Sequence, residues 1–191
     1  MDIVFAHGAG LPSSSPWMQG WAERLSTLGR VHPFDYPYMA AGRRRPDRMP
    51  TLLEAHRDAM GGLERPLLVG KSMGSRVGCH VAAEQPEAVR GLVCFGYPLC
   101  GGGDRAKLRD EVLLALQVPV LFVQGTRDRL APLDLFEEVR AKMSARSELH
   151  VVEAGDHSLK VTKTWCKQNE ATQDDVDETI LGVVKSFVES L

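Results

Sequence analysis

A serine at the centre of the pentapeptide Gly70–Gly74 (Gly-Lys-Ser-Met-Gly) is well placed for nucleophilic chemistry. The short apolar run Pro66–Val69 precedes it, and a helical pattern over Ser75–Gln85 follows, stopped by Pro86. This order predicts a buried strand, a tight turn and a helix, with Ser72 at the turn. Such a turn strains the serine backbone and points the positive end of the helix at whatever the hydroxyl attacks. The segment therefore predicts a nucleophile elbow.

The same residues overlap with a second motif, the phosphate-binding loop, since Gly70, Lys71 and Ser72 match the end of G-x-x-x-x-G-K-S. That motif requires a glycine five residues before Gly70, where this chain has Arg65. The elbow is therefore the preferred interpretation. In it, the two flanking glycines avoid clashes with the neighbouring strand and helix, and Gly78 is expected to let the helix lie close to the sheet.

A base and an acid for this serine are expected further along the chain, in the order serine, carboxylate, histidine. The buried-strand pattern Val118–Gln124 leads into a turn that ends at Asp128. The next strand pattern, Leu149–Glu153, leads into a turn that ends at His157. Because parallel strands end at one edge of the sheet, both side chains are predicted at the same edge as Ser72.

Two backbone N–H groups are expected to form an oxyanion hole beside the serine. The chain opens with the strand pattern Ile3–Ala6, and the glycine-rich turn His7–Gly10 follows it. Glycines after the first strand allow N–H groups to turn toward the site. The N–H of Ala9 and the N–H of Met73, which follows Ser72, are the predicted donors.

Four motifs in order resemble the α/β-hydrolase superfamily, and in particular its compact testis-expressed-30-like and dienelactone-hydrolase-like proteins. The segments that carry the resemblance span nearly the whole chain: His7–Gly10, Phe34–Met39, Gly70–Arg76 and Phe95–Leu99. The resemblance implies a serine hydrolase fold with catalytic Ser72, Asp128 and His157. It implies no particular substrate.

Other residues compete for these roles. Asp104 and Asp156 also lie in edge loops, and Asp134 could be a first-turn helix carboxylate, but Asp128 follows the strand that fits best. His157 alone among the histidines follows the last predicted strand. The other five lie in predicted elements or in the first turn: His7, His32, His56, His80 and His150. The predicted substrate pocket comprises His7, Gly8, Gly10, Tyr97, Pro98 and Leu99, with Met73 beside them.

The predicted architecture is a single α/β-hydrolase domain over residues 1–191, with a doubly wound, mostly parallel sheet of about six strands, helices on both faces and no large lid. Strands are predicted at Ile3–Ala6, Val31–Phe34, Pro66–Val69, Gly91–Phe95, Val118–Gln124 and Leu149–Glu153. Helices are predicted from Pro16, with Ser15 as its N-cap, over about Leu52–Leu63, over Ser75–Gln85, over about Pro132–Met143, and from Thr172, a capping residue with Asp175 three positions on.

The amino-acid composition argues against several kinds of partner and cofactor. Hydrophobic content of 43% and charged content of 25% are ordinary for a globular protein, and a net charge of −2 argues against nucleic acid or a membrane surface as partner. The four cysteines (Cys79, Cys94, Cys100, Cys166) lack metal-ligand spacing, so neither metal nor cofactor is expected. No signal peptide is expected, because the sequence starts with an acidic residue and a predicted strand. The resemblance implies that the two antiparallel strands that begin longer relatives are missing. Cys79 and Cys94 fall on a predicted packing helix and a buried strand, as free cysteines do, so a reducing, cytoplasmic location is expected.

The expected function is hydrolysis of a small carboxylic ester or thioester. Acyl transfer by the same residues and a non-catalytic binding protein remain alternatives, and the oligomeric state is left open. Three loops are expected to border the site: Tyr36–Arg48 with its arginines 43–45, Tyr97–Asp104, and Ser158–Ala171, a suspected mobile flap. Their basic side chains are either solvated surface or contacts to an anionic substrate, with solvated surface favoured.

Overall fold

A six-stranded, fully parallel sheet organises the protein, whose computed structural model describes all residues 1–191. The strands are β1 (Asp2–Ala6), β2 (Arg30–Phe34), β3 (Leu67–Lys71), β4 (Gly91–Phe95), β5 (Val120–Gly125) and β6 (Ser147–Val152). Their order is β2-β1-β3-β4-β5-β6. The chain steps outward in one direction to β2, then crosses back and continues through β3 to β6. The prediction of a doubly wound parallel sheet is confirmed.

Eight helices connect and cover the strands. They are α1 (Pro16–Leu25), α2 (Pro37–Ala40), α3 (Met49–Met60), α4 (Met73–Glu84), α5 (Glu111–Leu114), α6 (Leu133–Arg140), α7 (Lys163–Gln168) and α8 (Gln173–Glu189). The sequence patterns placed the five longest within a few residues of these bounds. The short α2, α5 and α7 were not predicted, because one turn of helix carries too little periodicity to detect.

Two helix starts can be compared with their predicted caps. At α8, Thr172 and Asp175 form the predicted capping box, in which each side chain accepts a hydrogen bond from the other residue's backbone N–H. At α1, Pro16 occupies the first turn as predicted, but the Ser15 side chain caps nothing.

Two apolar clusters lie on opposite faces of the sheet. Alternate residues of each strand face opposite sides, so Val4 belongs to the cluster that includes residues of α3, α4 and α6, whereas Phe5 belongs to the cluster that includes residues of α1 and α8. Both clusters are fully buried at their centres. β1, β3, β4 and β5 are almost entirely buried because helices cover both of their faces. No helix is both long enough and apolar enough to cross a bilayer.

The closest approach between a helix and the sheet lies at the junction of β3 and α4. A Cβ atom on Gly74 would lie 2.4 Å from the carbonyl oxygen of Ala6, and one on Gly70 would lie 2.2 Å from the nitrogen of Ser75. No real side chain could be accommodated at either position without moving backbone. Gly78 does not behave as the sequence suggested, since a Cβ there would make only ordinary contacts of 3.5 Å or more.

This difference predicts opposite effects of alanine at two glycines of one helix. Gly74→Ala should lower the free energy of unfolding by about 3 kcal/mol or more, because backbone must shift to admit the methyl group. Gly78→Ala should leave it unchanged or raise it by up to about 1 kcal/mol, because alanine favours helix. Urea titration of both variants measures the difference, and equal destabilisation would contradict this account.

Candidate active site

Ser72 lies in the turn between β3 and α4, at the carboxyl edge of the sheet. Its backbone has φ 50° and ψ −111°, a conformation that residues other than glycine seldom adopt. The strain was expected from the glycine-flanked turn, and it is held in place by a hydrogen bond from the Ser72 N–H to the carbonyl oxygen of Phe95, at 2.9 Å. The turn leaves the side chain half-exposed above the sheet.

A chain of two hydrogen bonds runs from Ser72 through His157 to Asp128. The Ser72 hydroxyl lies 2.8 Å from His157 Nε2, and His157 Nδ1 lies 2.7 Å from Asp128 Oδ2. A carboxylate only accepts, so Nδ1 carries the proton toward Asp128, and Nε2 is free to accept from the hydroxyl. This arrangement can take a proton from the serine while the carboxylate stabilises the resulting imidazolium.

Asp128 is anchored more firmly than the other carboxylates considered from sequence. Its side chain has no exposed surface, and its other oxygen accepts the N–H of Leu130 at 2.9 Å. Asp156 instead accepts the backbone N–H groups of Ser158 and Lys160 and so shapes the loop after His157.

The remaining candidates lie elsewhere. Asp134 and Asp104 form ion pairs with Arg105 and Lys107. None of the five other histidines forms a hydrogen bond with the Ser72 hydroxyl, which is bonded to His157.

The turn after β1 carries Ala9, one of the two predicted oxyanion donors, and buried side chains fix the peptide units of this turn. His7 Nδ1 donates to the carbonyl oxygen of Gly8 at 2.6 Å, and the hydroxyl of Tyr38 donates to that of Ala9 at 3.0 Å. In a trans peptide the N–H points opposite to the carbonyl. Holding the Gly8 carbonyl therefore sets the direction of the Ala9 N–H.

Both predicted donors are available. Neither the Ala9 N–H nor the Met73 N–H donates a hydrogen bond within the protein. Met73 is the first residue of α4, where N–H groups have no partner inside the helix. Ala9, Met73 and Ser72 also line one cavity, so all three face the same space.

The protonation states of His7 and Tyr38 fit this supporting role. Burial lowers the pKa of His7, which favours the neutral ring whose Nε2 accepts the N–H of Tyr36 at 3.1 Å. Burial also raises the pKa of Tyr38 to about 12, so its hydroxyl keeps the proton that it donates. His7 was placed in the substrate pocket from sequence. It is fully buried instead and orients the turn from behind.

Two cavities meet at Ser72. The first cavity, of about 370 Å³, lies between the turn after β1, α1 and the loop after β6, and Gly8, Gly10, Trp17, Lys71 and His157 line it. The second cavity, of about 460 Å³, lies between α3, α4 and the loop after β4. Its apolar wall consists of Met49, Leu52, Met73, Pro98 and Leu130.

Of the residues predicted to line the pocket, Tyr97 and Leu99 do not reach either cavity. Both side chains are completely buried among the core residues of β5 and α6. The Tyr97 hydroxyl donates to the carbonyl oxygen of Arg109 at 2.7 Å and so ties down the far end of the loop. Their neighbour Pro98 does line the second cavity. Sequence alone could not separate these three residues, because the loop has no regular period.

Lys71 is a buried charge beside the serine that the sequence reasoning did not use. It is 8% exposed, its Nζ donates to the carbonyl oxygen of His157, and it lies 5.6 Å from the centre of the Trp17 ring. Trp17 in turn donates to the carbonyl oxygen of Ser158 at 2.9 Å. Lys71 and Trp17 therefore hold two successive peptide units of the main chain, through the carbonyl groups of His157 and Ser158.

The sequence left open whether the basic side chains of the loops are solvated surface or contacts to a substrate, and the structure places some of them in each position. Arg43 pairs with Asp47 at 2.8 Å, and Arg43 and Arg44 line a further cavity that does not include Ser72. In the loop after His157, Ser158 and Lys160 reach the first cavity, whereas Lys163 and Lys167 belong to the exposed surface of α7. No three His, Cys, Asp or Glu side chains in residues 1–191 are arranged to hold a metal ion.

The sequence matches the family model of the alpha/beta hydrolase domain over residues 1–189. The chain therefore belongs to the α/β-hydrolase family, in agreement with the fold and with the strained serine after β3. A CIB-like hydrolase from Thermoplasma acidophilum shares the fold with a TM-score of 0.71 and 20% identity, covering 100% of this chain and 86% of that one. A dienelactone hydrolase from Anabaena variabilis gives 0.66 and 22%, covering 83% and 77%.

Among curated proteins, a pimeloyl-[acyl-carrier protein] methyl ester esterase from Yersinia pseudotuberculosis is 33% identical over 119 residues. The matched region is 61% of this chain and 45% of the esterase. The chain thus matches less than half the length of that relative.

Lys71 predicts a pH dependence of stability. Burial lowers the pKa of Lys71 from 10.5 to about 8. Between these values the unfolded chain binds a proton that the folded protein does not, so wild-type stability rises relative to Lys71→Met as the pH increases. From below pH 8 to pH 10.5, the difference in unfolding free energy between the two proteins should change by about 3 kcal/mol.

Chemical denaturation across this pH range measures the change. Lys160→Met, which alters an exposed lysine at the same cavity, is the control and should stay within about 0.5 kcal/mol of the wild type throughout. A wild-type advantage over Lys71→Met that does not vary with pH would show that Lys71 is not buried as a cation.

Proposed function

We propose that this protein is a serine hydrolase that cleaves a small carboxylic ester or thioester through an acyl-enzyme on Ser72. The observation that carries the proposal is the hydrogen-bonded chain Ser72–His157–Asp128, with distances of 2.8 and 2.7 Å, at the edge of the sheet. Residues 1–191 would form one catalytic domain, and the chemistry needs no cofactor.

In the first half-reaction, Ser72 Oγ attacks the acyl carbon while His157 Nε2 takes the hydroxyl proton. The N–H groups of Ala9 and Met73 stabilise the negative charge on the former carbonyl oxygen. Collapse of this intermediate breaks the bond to the leaving group, which receives the proton from His157. Asp128 keeps the imidazole in the required tautomer throughout.

In the second half-reaction, water attacks the acyl-enzyme and gives a proton to His157. Collapse of the second tetrahedral intermediate releases the carboxylic acid and returns the proton to Ser72 Oγ. The two cavities on either side of Ser72 have room for the acyl part and the leaving group. The partial match to an esterase that acts on a methyl ester supports an ester as the substrate.

Two alternatives use the same structure. An acyltransferase would place an alcohol or amine, instead of water, in one of the cavities. A binding protein would need no turnover, but it would also have no use for the strained backbone of Ser72, which costs on the order of 1–3 kcal/mol. The strain therefore favours an enzyme.

Covalent labelling tests the nucleophile. A fluorophosphonate should modify wild-type protein once, at Ser72, because this serine alone combines a base with two free N–H donors. Ser72→Ala should lose the adduct and lower ester turnover by about 10³-fold or more. Intact-mass analysis reads the adduct, with Ser75→Ala, three residues further along the chain, as the control. An equal adduct on the Ser72 variant would disprove the assignment.

Added methanol distinguishes a hydrolase from an acyltransferase, since formation of a methyl ester product indicates acyl transfer.

Paired substitutions test the acid. Asp128→Asn preserves the acceptor for the Leu130 N–H but can hold His157 in the wrong tautomer, so kcat/KM should fall by up to ~10⁴-fold with little change in melting temperature. Asp156→Asn, one residue from the histidine, also keeps a side-chain oxygen that can accept the backbone N–H groups of Ser158 and Lys160. This substitution should lower kcat/KM far less. Steady-state kinetics with one 4-nitrophenyl ester compares them. If Asp156→Asn is the more damaged enzyme, the acid has been assigned to the wrong loop.

A further inference from the structure

The second cavity contains two arginines that the proposed reaction does not use. Arg76 lies one helical turn after Ser72, and its backbone N–H donates to the Ser72 carbonyl oxygen at 3.1 Å. Side chains in a helix lean toward its N-terminus, so the Arg76 guanidinium extends back toward the serine. Arg109 approaches from the loop after β4, and both side chains line this cavity together with Ser72.

Neither guanidinium has a partner in the protein. Arg76 Nε is buried without a hydrogen bond, and no carboxylate lies within ion-pair distance of either arginine. The nearby acidic side chains are paired elsewhere: Asp47 with Arg43, Asp104 with Lys107, and Asp134 with Arg105. Glu111 lines a separate small cavity with both arginines, which does not include Ser72, and it forms no ion pair with them.

Two adjacent positive charges are unfavourable unless an anion joins them. Burial lowers the pKa of Arg76, and the neighbouring Arg109 adds to this effect, so the pair is held at a cost. The Arg109 main chain is fixed by two hydrogen bonds, from its N–H to Leu99 and from the Tyr97 hydroxyl to its carbonyl, which keeps the second charge beside the first. Guanidinium pairs of this kind suit planar anions.

We propose that the second cavity binds a carboxylate of the substrate between Arg76 and Arg109, and that the substrate is therefore an ester or thioester that also carries a free carboxylate. The substrate class rests on the proposed function, whereas the anion site itself does not. A singly charged carboxylate is preferred to a doubly charged phosphate because Asp47, with one buried unpaired oxygen, lines the same cavity and repels negative charge.

A matched pair of esters tests the substrate class. Mono-4-nitrophenyl adipate and 4-nitrophenyl hexanoate have acyl chains of equal length, and only the first has a free carboxylate. Wild-type kcat/KM should be about tenfold or more higher for the adipate ester. Arg76→Gln and Arg109→Gln should each lower the adipate value by roughly 10- to 100-fold while leaving the hexanoate value within about threefold. Arg105→Gln, on the same loop but outside the cavity, is the control.

Equilibrium binding separates this proposal from the proposed hydrolysis. Adipate should bind wild-type protein and Ser72→Ala alike, and about tenfold or more weakly to Arg76→Gln, in calorimetric titration. If no ester is hydrolysed but adipate binding depends on Arg76, the reaction is wrong and the anion site stands. Equal loss of both ester activities in Arg76→Gln, adipate binding unaffected by either arginine, or tighter binding of inorganic phosphate than of adipate would overturn the carboxylate site.

Discussion

The close contact between the first turn of α4 and the end of β1 is the constraint on which the rest of the site depends. A Cβ on Gly74 would lie 2.4 Å from the Ala6 carbonyl oxygen, so only glycine permits this approach. The contact brings the turn that contains Ser72 against the turn that contains Ala9, so Ala9 and Met73, whose N–H groups are unbonded, line one cavity with Ser72. Strain at Ser72 is a consequence of the same junction.

Buried polar side chains hold the loops around this junction. His7 and Tyr38 fix successive peptide units of the first turn, and Lys71 and Trp17 fix the main chain around His157. Burial keeps His7 neutral and the Tyr38 hydroxyl protonated, as their hydrogen bonds require. Burial of the Lys71 ammonium is unfavourable, and this lowers the pKa of Lys71. The hydrogen-bonded chain Ser72–His157–Asp128 is thus assembled from loops that have little regular structure of their own but are each tied to a strand or a helix.

Charge distinguishes the two cavities beside Ser72. The first has Lys71, whose ammonium is already engaged by a carbonyl oxygen, and Lys160, whose side chain is exposed to solvent. The second has two guanidinium groups without partners, which is why an anionic group is inferred there and not in the first. The two sides of the serine therefore differ in what they can bind, and this asymmetry suits a substrate with a charged and an uncharged part.

The sequence by itself determined the sheet, the five long helices and the positions of Ser72, Asp128 and His157 at the ends of strands. These follow from local periodicity and from the rule that parallel strands end at one edge, both of which are written in neighbouring residues. Tertiary structure alone decided which irregular residues face the cavities. It buried Tyr97 and Leu99 in the core but placed Pro98, between them, on the wall of the second cavity. It also buried His7 behind the site and left Gly78 without the close contact expected of it. It also placed Arg76 and Arg109 on the wall of one cavity, although one lies on a helix and the other on a loop more than thirty residues later. Such contacts depend on side-chain packing between distant segments, which has no periodic trace in the sequence.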